Sequence, residues 1–340
     1  MWYSNNQIRR DAGVYKRRKY MRKTRKTALM LTAGLAVMLA FSAAVYAEEE
    51  KGPGIGLGTG IAQTAQETQA TGQSQAGEQA QAAEQKAAPH RKTAEELQQV
   101  MQTVPAGPAK AEWGTFFLGN NLPPRNDEEE PYLRSFHAYA MVPGEEKVVF
   151  LTFDEGYENG YTPAILDVLA KHNVKAAFFC TGSYIKECPD LVKRIADEGH
   201  IIGNHTLTHP SMMKVATWEE FSRQLLTVED RVKEITGTDM PRYYRPPAGA
   251  YSEAQLRMAD AMGYRTIFWS VAYKDWDTKA QPTHEKAMNY LTTRIHPGAI
   301  ILLHAVSKTN TEILDQLLTR WKEMGYTFKT LDDLPETLTY

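Results

Sequence analysis

The chain has 340 residues, of which 42% are hydrophobic, and a formal net charge of −2. This length and apolar content suffice for one domain of about 200 residues with flanking segments. The first 27 positions contain ten Lys and Arg residues, and the remainder of the chain is acidic, with 29 basic against 40 acidic residues. The negative charge of that remainder argues against nucleic acid as a partner.

The first 47 residues predict an export signal or a membrane anchor. Residues 1–27 are strongly basic, and residues 28–47 carry no charge. A basic stretch, an apolar stretch and then small residues are typical of a secretory signal, with the basic side in the cytoplasm. The apolar run is also about long enough to span a bilayer, so cleavage and retention as an anchor both stay open. In either case we expect the rest of the chain to be exported.

Two segments without regular patterning follow. Gln, Ala, Gly and Thr dominate residues 48–95, and this composition buries too little apolar surface to offset the entropy of ordering. We therefore interpret residues 48–110 as a flexible linker between the membrane and a catalytic domain. Residues 111–140 mix aromatic residues with Pro, Asn and Gly, which predicts an irregular lead-in.

From residue 141 to residue 335, strand-like and helix-like runs alternate. The predicted strands are KVVFLTF (147–153), KAAFFCTG (175–182), HIIGNH (200–205), RYYRPPAG (242–249), YRTIFWSV (264–271), AIILLHA (299–305) and TFKTL (327–331). The predicted helices are 162–173, 189–199, 217–236, 252–262, 283–293 and 310–324. For the third helix, Thr217 and Glu220 predict a capping box. Alternation of this kind predicts an α/β fold, a distorted and incompletely regular (β/α) barrel of about seven parallel strands.

Polar residues stand at the same end of successive predicted strands. They are Asp154, His205, Arg245, Asp275 and His304. Because the carboxyl ends of the strands form the active-site face of a parallel barrel, we expect these side chains to meet. Acids, histidines and an arginine that converge in this way indicate a catalytic site.

The stretch HTLTHP, His205 to Pro210, predicts a metal site. Two imidazoles four residues apart after a strand can reach one divalent ion, and Pro210 disfavours a helix here. The alternative is a pair of surface histidines without a metal.

The other polar positions have alternatives of their own. Arg245 suits the bracing of a carboxylate, or RPPAG is merely a rigid turn. Asp275 and Trp276 are a functional pair, or a loop with an aromatic lid. His304 ends an apolar run and, taken alone, fits a core histidine with satisfied hydrogen bonds. For Cys180 and Cys188, a disulfide and two free thiols both stay open.

Five ordered stretches resemble the polysaccharide deacetylases of carbohydrate esterase family four, which share the NodB homology domain. They are TFDEG (152–156), HTLTHP (205–210), RPPAG (245–249), DW (275–276) and LLH (302–304). The resemblance covers roughly residues 141–335. It implies a distorted (β/α) barrel and a hydrolase that acts on C–N bonds other than peptide bonds.

The resemblance also implies a role for each catalytic candidate. Asp154 is the base that takes a proton from metal-bound water, and Arg245 braces it. His304 is the general acid that protonates the leaving amine, and Asp275 orients His304. A positioned acid is needed because an amine anion is a very poor leaving group.

The implied cofactor is a divalent metal ion, with Zn, Mn, Co and Mg all open. His205 and His209 are implied ligands, and Trp276 and Leu302 are implied to shape the pocket for the acetyl methyl group. The family has a second aspartate as its third ligand, where this chain has Glu155. The longer side chain either binds the metal or points away from it.

A narrower resemblance concerns the delta-lactam-biosynthetic de-N-acetylases of spore-forming bacteria. It rests on LTFDEGYENGYT (151–162), GHIIGNHT (199–206), FWSVAYKDW (268–276) and HPGAIILLHAVS (296–307). It implies removal of acetyl groups from N-acetylmuramic acid in peptide-stripped peptidoglycan, so that muramic-δ-lactam forms in spore cortex. We accordingly expect a monomer in the cell wall or spore-cortex space that binds a glycan strand.

Two rival functions stay open. A deacetylase of N-acetylglucosamine, or an esterase of acetylated xylan, is implied to use the same five stretches. A non-catalytic glycan-binding barrel is the other rival, since Glu155 replaces an expected ligand.

Overall fold

The computed structural model describes residues 109–115, 117–124, 133–215 and 217–336. All of them belong to the compact unit 83–340. The predicted signal or anchor and nearly all of the predicted linker lie outside the described residues, so their boundaries stay predictions. Within the described ranges, no helix combines the length and the apolar character needed to cross a membrane.

One large parallel sheet contains all seven predicted strands. The strands of the described chain are β1 (Ala109–Glu112), β2 (Ala138–Tyr139), β3 (Val148–Glu155), β4 (Ala177–Cys180), β5 (Ile201–Asn204), β6 (Tyr243–Tyr244), β7 (Ala250–Ser252), β8 (Arg265–Ile267), β9 (Ala299–His304) and β10 (Thr327–Lys329). The order in the large sheet is β10-β3-β4-β5-β6-β8-β2, and β9 pairs with β3. Every pairing in it is parallel.

The sheet curls towards closure. An isolated parallel bridge joins Val271 to Ile301, and the Leu302 N–H donates to the Val271 carbonyl at 2.9 Å. These contacts bring β9 alongside the segment that follows β8. The predicted α/β class and the distorted barrel are therefore confirmed.

The helices cover the outer side of the sheet. They are α1 (Thr162–His172), α2 (Gly182–Glu187), α3 (Pro189–Asp197), α4 (Trp218–Thr236), α5 (Glu253–Ala261), α6 (His284–Arg294) and α7 (Lys308–Glu323). Six were predicted, and α2 was missed because six residues are too few to show a helical period. The Thr217 side chain caps α4 as predicted by accepting from the Glu220 N–H. The Glu220 carboxylate, however, bonds to Arg223 and Gln224.

The lead-in at 111–140 contains more regular structure than predicted. Strand β1, which runs into this segment, pairs antiparallel with β7, and β2 adds a strand beside β8 in the large sheet. Strands of two to four residues carry no readable alternation, so their formation depends on edges that other parts of the chain provide.

The two faces of β3 enter different parts of the core. Val149, Leu151 and Phe153 pack with the apolar side chains of α1. Val148 and Phe150 pack inside the barrel with residues of the neighbouring strands. Because successive side chains of a strand point to opposite faces, Asp154 continues the interior row and Glu155 continues the helix-facing row.

Candidate active site

Asp154 forms a buried ion pair with Arg245. Arg245 Nη1 donates to Asp154 Oδ1 at 2.7 Å, Nη2 donates to Thr152 Oγ1 at 2.9 Å, and Nε donates to the Ile267 carbonyl at 3.0 Å. Burial alone would raise the pKa of Asp154, but Arg245, with His205 and His304, outweighs burial and lowers that pKa below its usual value. The carboxylate is therefore ionised and held in one orientation.

The guanidinium of Arg245 rests on an aromatic ring. Its central carbon lies 4.1 Å from the centroid of the Phe179 ring. A Cβ atom at Gly203 would come within 2.5 Å of that ring, so only glycine on β5 leaves room for Phe179. Gly203 thus sets the height of the ring that supports Arg245.

His205 turns a free ring nitrogen towards Asp154. Its Nδ1 lies 2.8 Å from the Arg245 carbonyl, and since a carbonyl only accepts, Nδ1 carries the proton. Nε2 then presents its lone pair to Asp154 Oδ2, 3.5 Å away. Burial lowers the pKa of His205 to about 4, so the imidazole is neutral near pH 7.

His209 lies beside His205, with 4.8 Å between the ring centroids. Burial lowers its pKa as well. The loop that carries it is not helical, as Pro210 predicts: Thr206 and His209 have left-handed backbone angles, φ 69° and 53°. The His209 N–H donates to Thr206 Oγ1 at 3.0 Å, which holds this unusual conformation.

His304 and Asp275 form the second half of the site. His304 Nδ1 lies 2.7 Å from Asp275 Oδ1, and the His304 backbone N–H donates to Asp275 Oδ2 at 2.9 Å. Burial would lower the pKa of His304, but Asp275 outweighs burial and raises it above its usual value. The imidazole therefore retains its proton to a higher pH than a free histidine does.

The two halves face each other across the β-ladder. Asp154 on β3 and His304 on β9 are register partners, as are Thr152 and Leu302 two residues earlier on the same face. Leu302 is buried, whereas Trp276 is half exposed, with its ring centroid 5.7 Å from that of His304. The ionised carboxylate of Asp154 and the imidazole of His304, whose pKa is raised, thus share one cleft. The carboxylate can accept a proton while the protonated imidazole donates one.

Comparison with known proteins gives this cleft a family. The family model described as "polysaccharide deacetylase" matches residues 142–267. The peptidoglycan-N-acetylmuramic acid deacetylase PdaA of Bacillus subtilis is 44% identical over 223 residues, which cover 65% of this chain and 84% of PdaA. The chain belongs to the polysaccharide deacetylase family.

A solved structure of PdaA and one further relative are also similar to the deacetylase. A solved structure of Bacillus subtilis PdaA, described as a family 4 carbohydrate esterase, has a TM-score of 0.64 and covers 66% of this chain and 95% of its own at 44% identity. A peptidoglycan-N-acetylglucosamine deacetylase of Bacillus cereus is 36% identical over 206 residues, 59% of this chain and 73% of that protein. The family explains why the five predicted stretches converge.

Glu155 lies on the side of β3 that faces away from the cleft of the deacetylase. Its Oε1 accepts from Thr162 Oγ1 on α1 at 3.3 Å, and its Oε2 is buried without a hydrogen-bond partner among the described residues. Burial, followed by the charge of Glu158, raises its pKa well above the usual value. Of the two alternatives that the sequence left open, the structure has the one in which Glu155 points away.

The remaining donors fit a divalent ion only in part. The His205 lone pair and Asp154 Oδ2 face each other with no proton between them, and His209 lies alongside, which suits a cation. In the described part of the deacetylase, however, no group of three or more His, Cys, Asp and Glu side chains is arranged to hold a metal ion. Among the described residues, the candidate metal ligands are therefore the imidazoles of His205 and His209. The third ligand that the family resemblance implies at position 155 points away from them.

Sequence reasoning missed two residues that hold the His205–His209 loop. Asn204 Oδ1 accepts from the Thr206 N–H at 3.0 Å, and Gln224 Oε1 accepts from the Thr208 N–H at 3.1 Å. Both side chains are buried. The available signal was a polar residue at the end of an apolar strand and another on the apolar face of α4.

The two cysteines are free in the structure of the deacetylase. Cys180 is buried at the end of β4, and Cys188 is partly buried between α2 and α3. Burial raises the pKa of both thiols, so neither is a ready nucleophile.

Proposed function

We propose that this deacetylase removes the N-acetyl group from N-acetylmuramic acid residues of peptide-stripped peptidoglycan. The observation that carries the reaction type is the pairing of Asp154 with His304 on adjacent strands, the first ionised and the second proton-rich. The choice of sugar rests on the named activity of the Bacillus subtilis relative, which is similar over most of its length.

Asp154 acts as the base in this proposal. Its carboxylate is held by Arg245, which Thr152 in turn holds on the interior face of the sheet, and it accepts a proton from the water that attacks the acetyl carbonyl. Because the ion pair lowers the pKa of this carboxyl group, the base is charged near neutral pH.

His304 acts as the acid. The scissile bond ends in a nitrogen that cannot leave as an anion, so a proton must reach it as the bond breaks. Asp275, on Nδ1, fixes the ring orientation and favours the protonated state. Trp276 and Leu302 flank His304, and we assign them to the acetyl methyl pocket.

His205 and His209 hold a divalent ion in this proposal. When bound, such an ion supplies Lewis acidity at the carbonyl and lowers the pKa of water. The contact of His205 Nδ1 with the Arg245 carbonyl fixes the tautomer that leaves Nε2 free. We expect His205→Ala and His209→Ala each to lose bound metal, measured by metal analysis of the purified proteins. Unchanged stoichiometry would contradict the assignment.

The product has a defined fate in this proposal. Deacetylation releases acetate and leaves an amine on the same sugar that carries the lactyl carboxyl, and a separate condensation of the two, with loss of water, gives muramic-δ-lactam. The basic and apolar residues of positions 1–47 support export to the wall or spore-cortex space, where this substrate lies.

Mass spectrometry of glycan fragments tests the choice of sugar. Peptide-stripped peptidoglycan is treated with the protein, cleaved to disaccharides, and fragmented to locate the missing acetyl group. Loss from the muramic residue supports the proposal. Loss from glucosamine overturns it in favour of the activity named for the Bacillus cereus relative. If no glycan loses acetate while the same chain binds the glycan, the rival function of a non-catalytic binding barrel is favoured.

A further inference from the structure

Asp275 has a second neighbour that no assigned role explains. Asn310, in the first turn of α7, donates from Nδ2 to Asp275 Oδ2 at 2.6 Å. Asn310 is buried, as is the whole side chain of Asp275. A buried side-chain amide that contacts a catalytic carboxylate serves either helix structure or the acid pair, and the contacts around it discriminate between these roles.

Tyr273 determines which end of the Asn310 amide faces Asp275. The Tyr273 hydroxyl donates to Asn310 Oδ1. Burial, and then the charge of Asp275, raises the pKa of Tyr273, so the hydroxyl keeps the proton that it donates. With Oδ1 engaged in this way, Nδ2 must point to the carboxylate, since a reversed amide would set oxygen against oxygen.

The donors divide the two oxygens of Asp275. Oδ2 accepts from Asn310 Nδ2 and from the His304 backbone N–H, while Oδ1 lies against His304 Nδ1. Two fixed donors on one oxygen prevent the carboxylate from rotating. The other oxygen is therefore kept in line with the imidazole.

We propose that Asn310 is a positioning residue for the His304–Asp275 pair and that Tyr273 sets its orientation. The inference rests on the role proposed for His304. Asn310 does not touch the His304 ring: it acts through Asp275, and its Nδ2 also lies 3.4 Å from the His304 backbone carbonyl, which it holds beside the same carboxylate. Because Asn310 is neutral, its effect is geometric, alongside the charges of Asp154 and Arg245 that also act on His304.

Steady-state kinetics on the full chain provide the first test. We expect Asn310→Ala to lower kcat roughly 10- to 100-fold and to leave KM nearly unchanged. This is the range for removing a hydrogen-bond partner that orients a functional side chain. Asn310→Asp has almost the same shape but lacks the amide donor, so its kcat should fall too. This variant serves as the test if Asn310→Ala folds poorly. Tyr273→Phe should lower kcat less, since the amide can still reach Asp275.

A double variant gives a readout that a merely structural role would not produce. If Tyr273 acts through Asn310, Asn310→Ala with Tyr273→Phe should be no slower than Asn310→Ala alone, to within about twofold. The proton on His304 Nδ1, followed by NMR, should shift in Asn310→Ala. Independent, multiplying losses in kcat would overturn the role of Tyr273.

A control in the same helical turn isolates the effect. Thr309→Val removes the hydrogen bond from Thr309 Oγ1 to the Pro282 carbonyl, 2.8 Å, and touches neither Asp275 nor His304. We expect its kcat to be unchanged. If His304→Gln is inactive while Asn310→Ala and Asn310→Asp keep normal kcat, the inference fails by itself. If His304→Gln stays active, the proposed role of His304 fails instead.

Discussion

The two faces of β3 place two neighbouring carboxyl groups in opposite electrostatic states. Asp154 faces the barrel interior, where Arg245 donates to it and its pKa falls. Glu155 faces the helices, where burial and then the charge of Glu158 raise its pKa, and its hydrogen bond with the Thr162 hydroxyl does not offset them. Both are buried, and burial acts to raise the pKa of each carboxyl group. Only Asp154 has a cationic partner that outweighs burial, so the partner decides the difference between the two groups.

The largest expected effect is on the interior face. Asp154→Asn should lower the rate of acetate release by on the order of 100- to 10,000-fold, because it removes a positioned base and leaves its shape. Acetate release from a peptide-stripped glycan measures this, with circular dichroism as the control for folding. Near-normal release would show that the base lies elsewhere.

Arg245→Met should destabilise the fold by about 3–5 kcal/mol, because it leaves the Asp154 charge buried without its partner. Urea unfolding followed by fluorescence gives the difference. Combining it with Asp154→Asn should recover part of the loss, since the unpaired charge is then absent. Equal stability of the single and double variants would contradict the ion pair as the cause.

Gly203→Ala should affect Arg245 indirectly, through the ring of Phe179 that supports it. The added methyl group meets the Phe179 ring, and overpacking of this kind costs about 1–3 kcal/mol. We expect Arg245 to shift with the ring, so that kcat falls together with stability. Gly114→Ala is the control, since Gly114, like Gly203, lacks a positive φ, but a Cβ added there meets no atom within 4 Å among the described residues. A loss of stability without any change in kcat would separate Phe179 from the site.

The pH profile of activity tests whether a charged neighbour, Asp275, sets the pKa of His304. The acid must carry its proton, so activity is present below the pKa of His304 and is lost as pH rises through it. Asp275 raises that pKa, and Asp275→Asn should therefore move the alkaline loss of kcat/KM to lower pH. An unmoved alkaline limb would assign it to another group.

The smallest expected effect is on the helix face. Glu155→Gln should change acetate release by less than about twofold, since it keeps the shape of a group that lies outside the cleft and whose charge burial disfavours. Bound metal should also be unchanged. A loss comparable with that of Asp154→Asn would return Glu155 to the catalytic site.

The sequence predicted what depends on period and position. Apolar runs located the strands, and the residues that end them, Asp154 and His304 among them, do converge. The alternation of side chains along a strand already implied that Asp154 and Glu155 separate. It could not show which partner each would meet.

The parts that sequence reasoning missed depend on contacts distant in the chain. Asn204, Gln224 and Asn310 are ordinary polar residues until folding brings a loop or a carboxylate to them. Strand β2 has only two residues and exists because β8 offers an edge. Neither kind of feature leaves a period in the sequence.

The register between β3 and β9 has a consequence for how this enzyme can change. The base and the acid project from hydrogen-bonded neighbours in a ladder, so their spacing is set by the distance between strands, about 4.8 Å. The loops around them, such as the one bearing the exposed Tyr157, take no part in that spacing. A loop that carries no site residue, such as the one bearing Tyr157, can therefore be exchanged to redirect the enzyme to another glycan while the proton transfers stay intact, whereas the loops that bear His205 and Asp275 must be kept.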